Sequence, residues 1–225
     1  MPLMQPDLAV DHGGVHADRV DADRVHTDRV HTDGVQANSS RATLGRFVIA
    51  GGPGSGKSTL LSALAAAGEI CYQEASRVLI REQLACAGSL LPWGDLWGFA
   101  QECSVRMREQ LADSARHARC FFDRGLPDLI GYLSDGGRSA PDDWRAASRD
   151  YAPVVFFAPP WREIFVNDAE RPQSFADAQE LSSHIRRAYH DCGFRLVELA
   201  ESSVGARVEQ VLKVTDSMAR APRHG

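Results

Sequence analysis

The chain has 225 residues, a formal net charge of −5 and 44% hydrophobic residues. This length suffices for one well-buried α/β domain with a tail, and the acidic balance argues against a general nucleic-acid binder. No apolar run approaches the length of about 18 residues typical of a membrane helix, so we predict no membrane span. The opening letters MPLMQPDLAVDHGG lack a basic segment followed by an apolar one, which argues against secretion.

The spacing of the cysteines indicates the redox environment in which the protein works. They are widely spaced, at Cys71, Cys86, Cys103, Cys120 and Cys192. None belongs to a CxxC pair or to a Cys/His spacing typical of zinc sites, so we expect reduced thiols in a cytoplasmic protein. A structural or catalytic cysteine is the weaker alternative.

Residues 1–43 form a segment of distinct composition. From residue 16 the letters run HADRV, DADRV, HTDRV, HTDGV, a five-residue period rich in Asp, Arg and His. One interpretation is a pentapeptide-repeat β-helix, but the position that should carry Leu or Phe holds Arg or Gly. A second is metal binding by His12, His16, His26 and His31. The composition favours a third, a disordered, solvated tail.

Strands and helices are then predicted in alternation. Strands are predicted over 46–50 and 70–73, in ARCFFDRG up to Asp123, in PVVFFAPPW before Pro159, and in FRLVELA. Helices are predicted over 56–67, 75–87, 95–117 and 174–192, with a last helix from Ser203. The helix over 95–117 has apolar residues at three- and four-residue steps. Ser174 and Asp177 form an S-x-x-D start signal for the next helix.

This alternation predicts an α/β fold, with a mostly parallel sheet covered by helices on both faces in three layers. We place the folded domain at 44–218 and a flexible C-terminus at 219–225. Ligands of such sheets bind outside the carboxyl ends of the strands. Three marked segments fall there: the glycine-rich loop, DRGLPD and APPWREI.

The strongest motif is a phosphate-binding loop. The letters from residue 51 match G-x-x-x-x-G-K-[ST] between an apolar strand and a helix. Lys57 is one of only two lysines beside 23 arginines, and a compact ammonium suits the loop as a point charge. We expect Lys57 to reach the β- and γ-phosphates of ATP or GTP and Ser58 to bind Mg²⁺. The predicted nucleotide-binding residues are Gly51, Gly52, Pro53, Gly54, Ser55, Gly56, Lys57, Ser58 and Thr59.

The segment CFFDRGLPD supplies a second group of candidates. Asp123 follows a buried strand, where a carboxylate can bind Mg²⁺ or accept a proton from a substrate hydroxyl. Arg124 can bind an anionic substrate or phosphate. The alternative is that Asp123 caps a turn with Arg124 as its ion-pair partner. Asp128 is a candidate for substrate binding or, equally, for capping a helix.

Two further segments carry charged candidates with evenly weighed alternatives. Glu74 and Arg77 open a helix and can face an acceptor site, or form a solvated i,i+3 ion pair. Arg162 and Arg171 follow the strand PVVFFAPPW and can close on the transferred phosphate, or belong to a solvated helix. Trp161 can stack on a base or lie in the core.

Six segments together resemble a known family. They are GGPGSGKSTLL, EASRVLIREQ, FFDRGLPD, VFFAPPW, NDAERPQSFADA and YHDCGFRLVEL, and in this order they resemble the NadR-like AAA family over residues 44–215. The resemblance implies a kinase-like P-loop fold with a central sheet of about five parallel strands, and ATP or GTP with Mg²⁺. It also implies that Asp123 lies in the active cleft and that residues 162–171 form the lid. Family members include a ribosylnicotinamide kinase module and nucleotide-binding proteins of undefined reaction.

Two functional hypotheses follow. The first is an ATP-dependent phosphotransferase in which Lys57 and Ser58 position ATP·Mg²⁺, Asp123 holds the metal or acts as base, and arginines hold the acceptor or the moving phosphoryl group. Those arginines are Arg124, Arg162 and Arg171. The second is a regulatory ATPase or GTPase switch without an acceptor. A kinase needs an enclosed acceptor pocket near Asp123, whereas a switch needs a surface that responds to the nucleotide.

Overall fold

The computed structural model describes residues 45–165 and 174–220. Five strands form one sheet: β1 (Arg46–Ala50), β2 (Cys71–Tyr72), β3 (Cys120–Asp123), β4 (Val154–Phe157) and β5 (Arg195–Glu198). Their order is β2-β3-β1-β4-β5 and every neighbouring pair is parallel. The predicted parallel sheet of about five strands is confirmed.

Seven α-helices occur in the described residues. They are α1 (Lys57–Ala66), α2 (Ala75–Ala85), α3 (Leu96–Asp113), α4 (Leu126–Asp135), α5 (Asp142–Ala147), α6 (Phe175–Asp191) and α7 (Val204–Arg220). Single 3-10 turns lie at Ser114–Arg116, Ser148–Asp150 and Arg162–Ile164. None of these helices combines the length and apolar character that a membrane span requires.

The sheet separates two apolar cores, which makes the predicted three layers. Every residue of β1 is buried, and alternate side chains point to opposite faces because a strand has a two-residue period. Val48 and Ala50 join the core formed with α2, α3, α4 and α6. Phe47 and Ile49 join the core formed with α1 and α7. The apolar run from Phe47 to Ala50 in this strand therefore reflects burial on both faces.

Helix starts agree with the sequence signals. The Ser174 hydroxyl accepts from the Asp177 N–H, and the Asp177 carboxylate accepts from the Ser174 N–H, so the predicted capping box is present. The Asp95 carboxylate accepts from the Gly98 N–H and caps α3. The helix predicted over 95–117 ends earlier, at Asp113, where a 3-10 turn takes over.

Two helices, α4 and α5, were not predicted. Of the ten residues of α4, seven are buried, because α3 and α6 pack on it from different sides. The first residues of α4 belong to the segment DRGLPD, which was predicted as a ligand-binding segment at the end of a strand. The predicted tail at 1–43 and most of the predicted C-terminus lie outside the described residues.

Candidate active site

The glycine-rich loop joins β1 to α1 at the carboxyl edge of the sheet. Gly51 has a φ of +131°, and a Cβ atom there would overlap the carbonyl oxygen of Ala158. Gly54 and Gly56 also have positive φ, at +67° and +77°. L-residues with side chains rarely adopt this backbone, so the loop needs its glycines to turn into the N-terminus of α1.

Lys57 lies along the loop. Its side chain is buried, and Nζ donates to the Gly52 carbonyl at 2.5 Å and to Ser55 Oγ at 2.9 Å. Ser55 Oγ in turn donates to the same Gly52 carbonyl at 2.9 Å. Pro53 is also buried, whereas Thr59 is exposed on the first turn of α1. The ammonium is thus held at the loop, at the positive end of the helix dipole.

Ser58 and Asp123 come from different strand–helix junctions and meet beside the loop. Ser58 Oγ donates to Asp123 Oδ2 at 3.4 Å, although 65 positions separate the two residues. The parallel pairing of β1 with β3, which sets Ile49 opposite Asp123, brings them together. A hydroxyl and a carboxylate are hard oxygen ligands, so this pair fits the chemistry of Mg²⁺.

Arg124 is the centre of a buried cluster with Glu74 and Asp128, the arginine–carboxylate cluster. Its side chain is 1% exposed. Nε donates to Glu74 Oε1 at 2.9 Å, and Nη1 donates to Asp128 Oδ1 at 3.2 Å and to the Gly51 carbonyl at 2.9 Å. The backbone has a φ of +74°, which is strained for a residue with a Cβ atom. Its carboxylate partners in the cluster are Glu74 and Asp128.

Asp128 connects Arg124 to the start of α4 and to Tyr189 through hydrogen bonds. It is fully buried, and its Oδ2 accepts from the Gly125 N–H at 2.9 Å and from the Tyr189 hydroxyl at 2.5 Å. Burial, together with the Asp128 carboxylate, raises the pKa of Tyr189 well above its ordinary value. Asp128 thus caps α4 and orients Arg124, and its carboxylate is directed at protein groups.

Glu74 links the cluster to two cavities. It is 5% exposed at the start of α2, and Oε1 also accepts from Ser76 Oγ at 2.7 Å. Its Oε2 lies 3.9 Å from Arg77 Nε, so the alternative i,i+3 pair is present as well, with a buried carboxylate. Glu74 lines both an apolar pocket and a polar groove.

The apolar pocket, here called the aromatic pocket, has a volume of about 300 Å³. It lies among α2, α3, α4 and the segment before α3, and Glu74 and Arg124 form part of its wall. Its lining residues are Glu74, Ser76, Ile80, Pro92, Trp93, Leu96, Phe99, Ala100, Arg124, Leu129, Tyr132, Asp135 and Gly136. An apolar cavity with a few converging polar groups is typical of small-molecule sites.

The polar groove runs between α1 and α2 along β2, and has a volume of about 380 Å³. Ser58, Asp123, Glu74 and Arg77 line it. Cys71 also lies there, and burial, with the negative charges of Glu69 and Asp123, raises the pKa of its thiol to about 11. A thiol that stays protonated at neutral pH is a poor nucleophile, which does not favour a catalytic role for it.

The segment after β4 covers the loop. The Phe165 ring lies against Gly54, and Ile164 Cδ1 lies near Gly56. Arg162 is exposed, with its guanidinium over the Phe175 ring at 4.2 Å from the ring centroid. Arg171 lies outside the described residues, and the structure describes only residues 162–165 of the predicted lid.

Arg207 was missed by the sequence reasoning. It is 2% exposed on α7, where Nη1 donates to the Ser55 carbonyl at 2.8 Å and Nε donates to the Ala200 carbonyl at 2.7 Å. Its guanidinium lies over the Trp161 ring at 5.1 Å, which gives that tryptophan a protein partner. The available signal was a charged residue within the apolar stripe of α7, between Val204 and Val211.

Two solved structures illustrate the fold. The shikimate kinase from Acinetobacter baumannii in complex with shikimate is 18% identical, with a TM-score of 0.54, over 82% of this chain and 99% of that one. The deoxyadenosine kinase from M. mycoides with bound dATP is 14% identical, with a TM-score of 0.51, over 76% of this chain and 98% of that one. At these identities the likeness establishes a P-loop kinase fold.

Sequence comparison gives the family. No curated protein matches the chain. A family profile described as "AAA domain" matches residues 46–207, which include the glycine-rich loop, Asp123 and Arg207. The AAA part of the predicted resemblance is confirmed, and its NadR-like part stays a prediction. The chain belongs to the AAA domain family.

Proposed function

We propose that the protein is a phosphotransferase that moves the γ-phosphoryl group of ATP, or of GTP, to a hydroxyl of a small molecule. The observation that carries this proposal is the position of the aromatic pocket. Arg124 lines that pocket and also donates to the Gly51 carbonyl of the phosphate-binding loop. An acceptor in the pocket and a triphosphate in the loop would therefore share one buried wall, as transfer requires.

The loop supplies the nucleotide side. Residues 51–59 would surround the phosphates with backbone N–H groups, and Lys57 would leave the Gly52 carbonyl to reach the β- and γ-phosphates. Ser58 and Asp123 would hold Mg²⁺, which when bound neutralises charge on the phosphate oxygens. Their mutual contact supports a metal role for Asp123 over a role as base.

Among the described carboxylates, Glu74 is the best placed to receive the proton of the acceptor hydroxyl. It lines both the aromatic pocket and the groove that contains Ser58 and Asp123. In the proposed step the acceptor oxygen forms a bond to the γ-phosphorus, the bond from that phosphorus to the β,γ-bridging oxygen breaks, and the hydroxyl proton passes to Glu74. The products are a phosphate monoester and a nucleoside diphosphate.

The other predicted residues take supporting roles in this proposal. Arg77 orients Glu74 from the polar groove, and the fully buried Asp128 orients Arg124. Arg162 would leave its stacked position on Phe175 to approach the phosphates when the lid closes, together with Arg171.

The first experiment is a calorimetric titration with ATP and GTP in the presence of Mg²⁺, on wild type and Lys57→Ala. We expect the substitution to abolish measurable triphosphate binding, because no other described side chain places an ammonium on the loop. Turnover should fall at least about 10²-fold. The matched control is Lys213→Ala, which removes the only other lysine, an exposed one on α7. Equal loss of binding in both variants would contradict the assignment.

A regulatory NTPase is the second candidate, and one contact favours it. Arg207 ties the last helix to the Ser55 carbonyl of the loop, so a change of loop conformation on nucleotide binding would reach α7. Steady hydrolysis without any acceptor, with a proteolysis pattern that differs between ADP and ATP, would favour this candidate. An unchanged pattern would count against it.

A further inference from the structure

Helices α4 and α6 approach each other closely at Gly131. A Cβ atom added to Gly131 would lie 2.6 Å from the Ile185 Cα atom and 2.8 Å from the Ile185 backbone nitrogen. A larger residue at this position would therefore push the two helices apart. Because Ser134 and Asp135 follow about one helical turn after Gly131, the same approach brings them beside His184 of α6.

Three side chains with metal-binding atoms meet at this contact. Glu180 and His184 are four residues apart on α6, so they share one face of the helix. Asp135 is the last residue of α4, and its Oδ1 lies 3.9 Å from His184 Nε2. One ligand atom from each of the three residues lies within 4.8 Å of the other two. Asp135, Glu180 and His184 are here called the α4–α6 site.

The hydroxyl of Ser134 orients the imidazole ring of this site. Its Oγ lies 3.1 Å from His184 Nδ1. When Nδ1 donates its proton to that oxygen, the lone pair is on Nε2, the nitrogen near Asp135. Metal-binding histidines usually have this arrangement, in which the second ring nitrogen donates to an oxygen acceptor. Ser134 is thus placed as a supporting partner of a metal ligand.

The charges at the α4–α6 site favour a bound cation. Burial raises the pKa of the Asp135 carboxyl, and the negative charges of Glu180 and Asp177 add to this effect, while His184 opposes it. Carboxylates that disfavour each other's ionisation are stabilised by a cation placed between them.

The donor set indicates the kind of ion. An imidazole nitrogen with carboxylate oxygens suits Zn²⁺ and related transition-metal ions, whereas Mg²⁺ prefers a shell of oxygens like that offered by Ser58 and Asp123. In a tetrahedral zinc site with bonds of about 2.1 Å, the ligand atoms lie about 3.4 Å apart. The side chains of Asp135 and Glu180 are exposed, so their rotation can bring the carboxylates to that separation.

We propose that Asp135, Glu180 and His184 bind a divalent transition-metal ion, such as Zn²⁺, that links the end of α4 to α6. Water would complete the coordination, because three protein ligands leave a position open. The ion would stabilise the aromatic pocket, since α4 supplies part of its wall. This role does not depend on the proposed phosphotransferase activity.

The test uses the full chain with excess Mg²⁺, which occupies sites built from oxygens alone. Zn²⁺ is titrated by calorimetry into wild type, His184→Ala and Glu180→Gln, and thermal unfolding is measured with and without Zn²⁺. We expect each substitution to weaken zinc binding at this site at least tenfold, because even the outer-shell partners of a metal contribute about 10–100-fold. Zn²⁺ should raise the Tm of wild type more than that of either variant, since an ion that binds the folded state stabilises it.

The matched control is His190→Ala, which removes an exposed imidazole from the same helix outside the site. The histidines of residues 1–43 and the five cysteines are present in every variant, so zinc bound by them cancels in the comparison. Glu180 is exposed, so Glu180→Gln should fold even if the loss of the half-buried His184 impairs folding. Equal zinc affinity and equal thermal stabilisation in wild type and Glu180→Gln, or the same loss in His190→Ala, would overturn the inference.

Discussion

Two buried arginines flank the phosphate-binding loop, and their surroundings differ. Arg124 donates to the Gly51 carbonyl at one end of the loop, and Arg207 donates to the Ser55 carbonyl further along it. Each has a buried Nη2 atom for which the described part of the chain supplies no hydrogen-bond acceptor. Arg124 has two carboxylate partners, whereas the hydrogen bonds of Arg207 in the described part of the chain go to carbonyls.

The titration behaviour reflects this difference. Burial works to lower the pKa of Arg124, but Tyr132, Glu74 and Asp128 hold it well above its ordinary value. At Arg207, burial lowers the pKa, and Glu201 only partly opposes it. The charge of Arg124, on the acceptor side of the loop, is thus balanced by two carboxylates of the protein itself. The charge on the Arg207 side is balanced by no carboxylate hydrogen bond among the described residues, so the anionic phosphates of a nucleotide would be stabilising there.

The largest effect is expected from Asp128→Ala. The substitution leaves Arg124 with one carboxylate and removes the acceptor of the Tyr189 hydroxyl and the Gly125 N–H. Breaking a buried ion pair on one side costs about 3–5 kcal/mol, so the free energy of unfolding in urea should fall by that amount. The control is Glu82→Gln, which removes a half-exposed partner of Arg106 and should cost at most about 1 kcal/mol. Equal losses would show that the cluster is not the stabilising feature.

Glu74→Gln should lower the free energy of unfolding less than Asp128→Ala does, but it should lower kcat strongly. The amide oxygen can still accept from Arg124 Nε, but it no longer takes up a proton. We expect kcat to fall about 10²–10⁴-fold, with nucleotide affinity retained, because general-base catalysis contributes about that factor. Stopped-flow or coupled assays would check this, with ATP affinity measured by calorimetry on the same variant. An unchanged kcat would assign the base elsewhere.

The smallest effect on stability is expected from Arg207→Met. The Ser55 and Ala200 carbonyls each lose a donor, which costs about 1–3 kcal/mol. Unlike Asp128→Ala, this substitution should weaken ATP binding in calorimetry and leave acceptor binding unchanged. Arg195→Met, an exposed arginine of β5, is the matched control. Weakened acceptor binding with normal ATP binding would remove the distinction between the two arginines.

The predictable parts of the molecule are those encoded by neighbouring residues. The loop, the strands β1, β3 and β4 and the capping box at Ser174 each depend on a few adjacent letters whose spacing carries the physics. Placing Asp123 beside Ser58 needed one more step, the rule that parallel strands end at the same edge of the sheet. The contact between the two residues agrees with that step.

The rest depends on contacts between distant residues. The bond from Arg207 to Ser55 spans 152 positions and that from Tyr189 to Asp128 spans 61, so neither partner reveals the other in the sequence. Three helices and the segment before α3 form the aromatic pocket. One of these helices is α4, which was not predicted. Side chains meet there because helices pack, and no local pattern records which faces come together.

The strained backbone of Arg124 has an evolutionary consequence. Glycine would relieve the positive φ and gain about 1–2 kcal/mol, but it would leave Glu74 and Asp128 without their shared cation, which costs more. Every single replacement in the arginine–carboxylate cluster is therefore expected to lower the free energy of unfolding. A variant library that randomises the three positions jointly should thus return the wild-type combination more often than combinations that change only one of them.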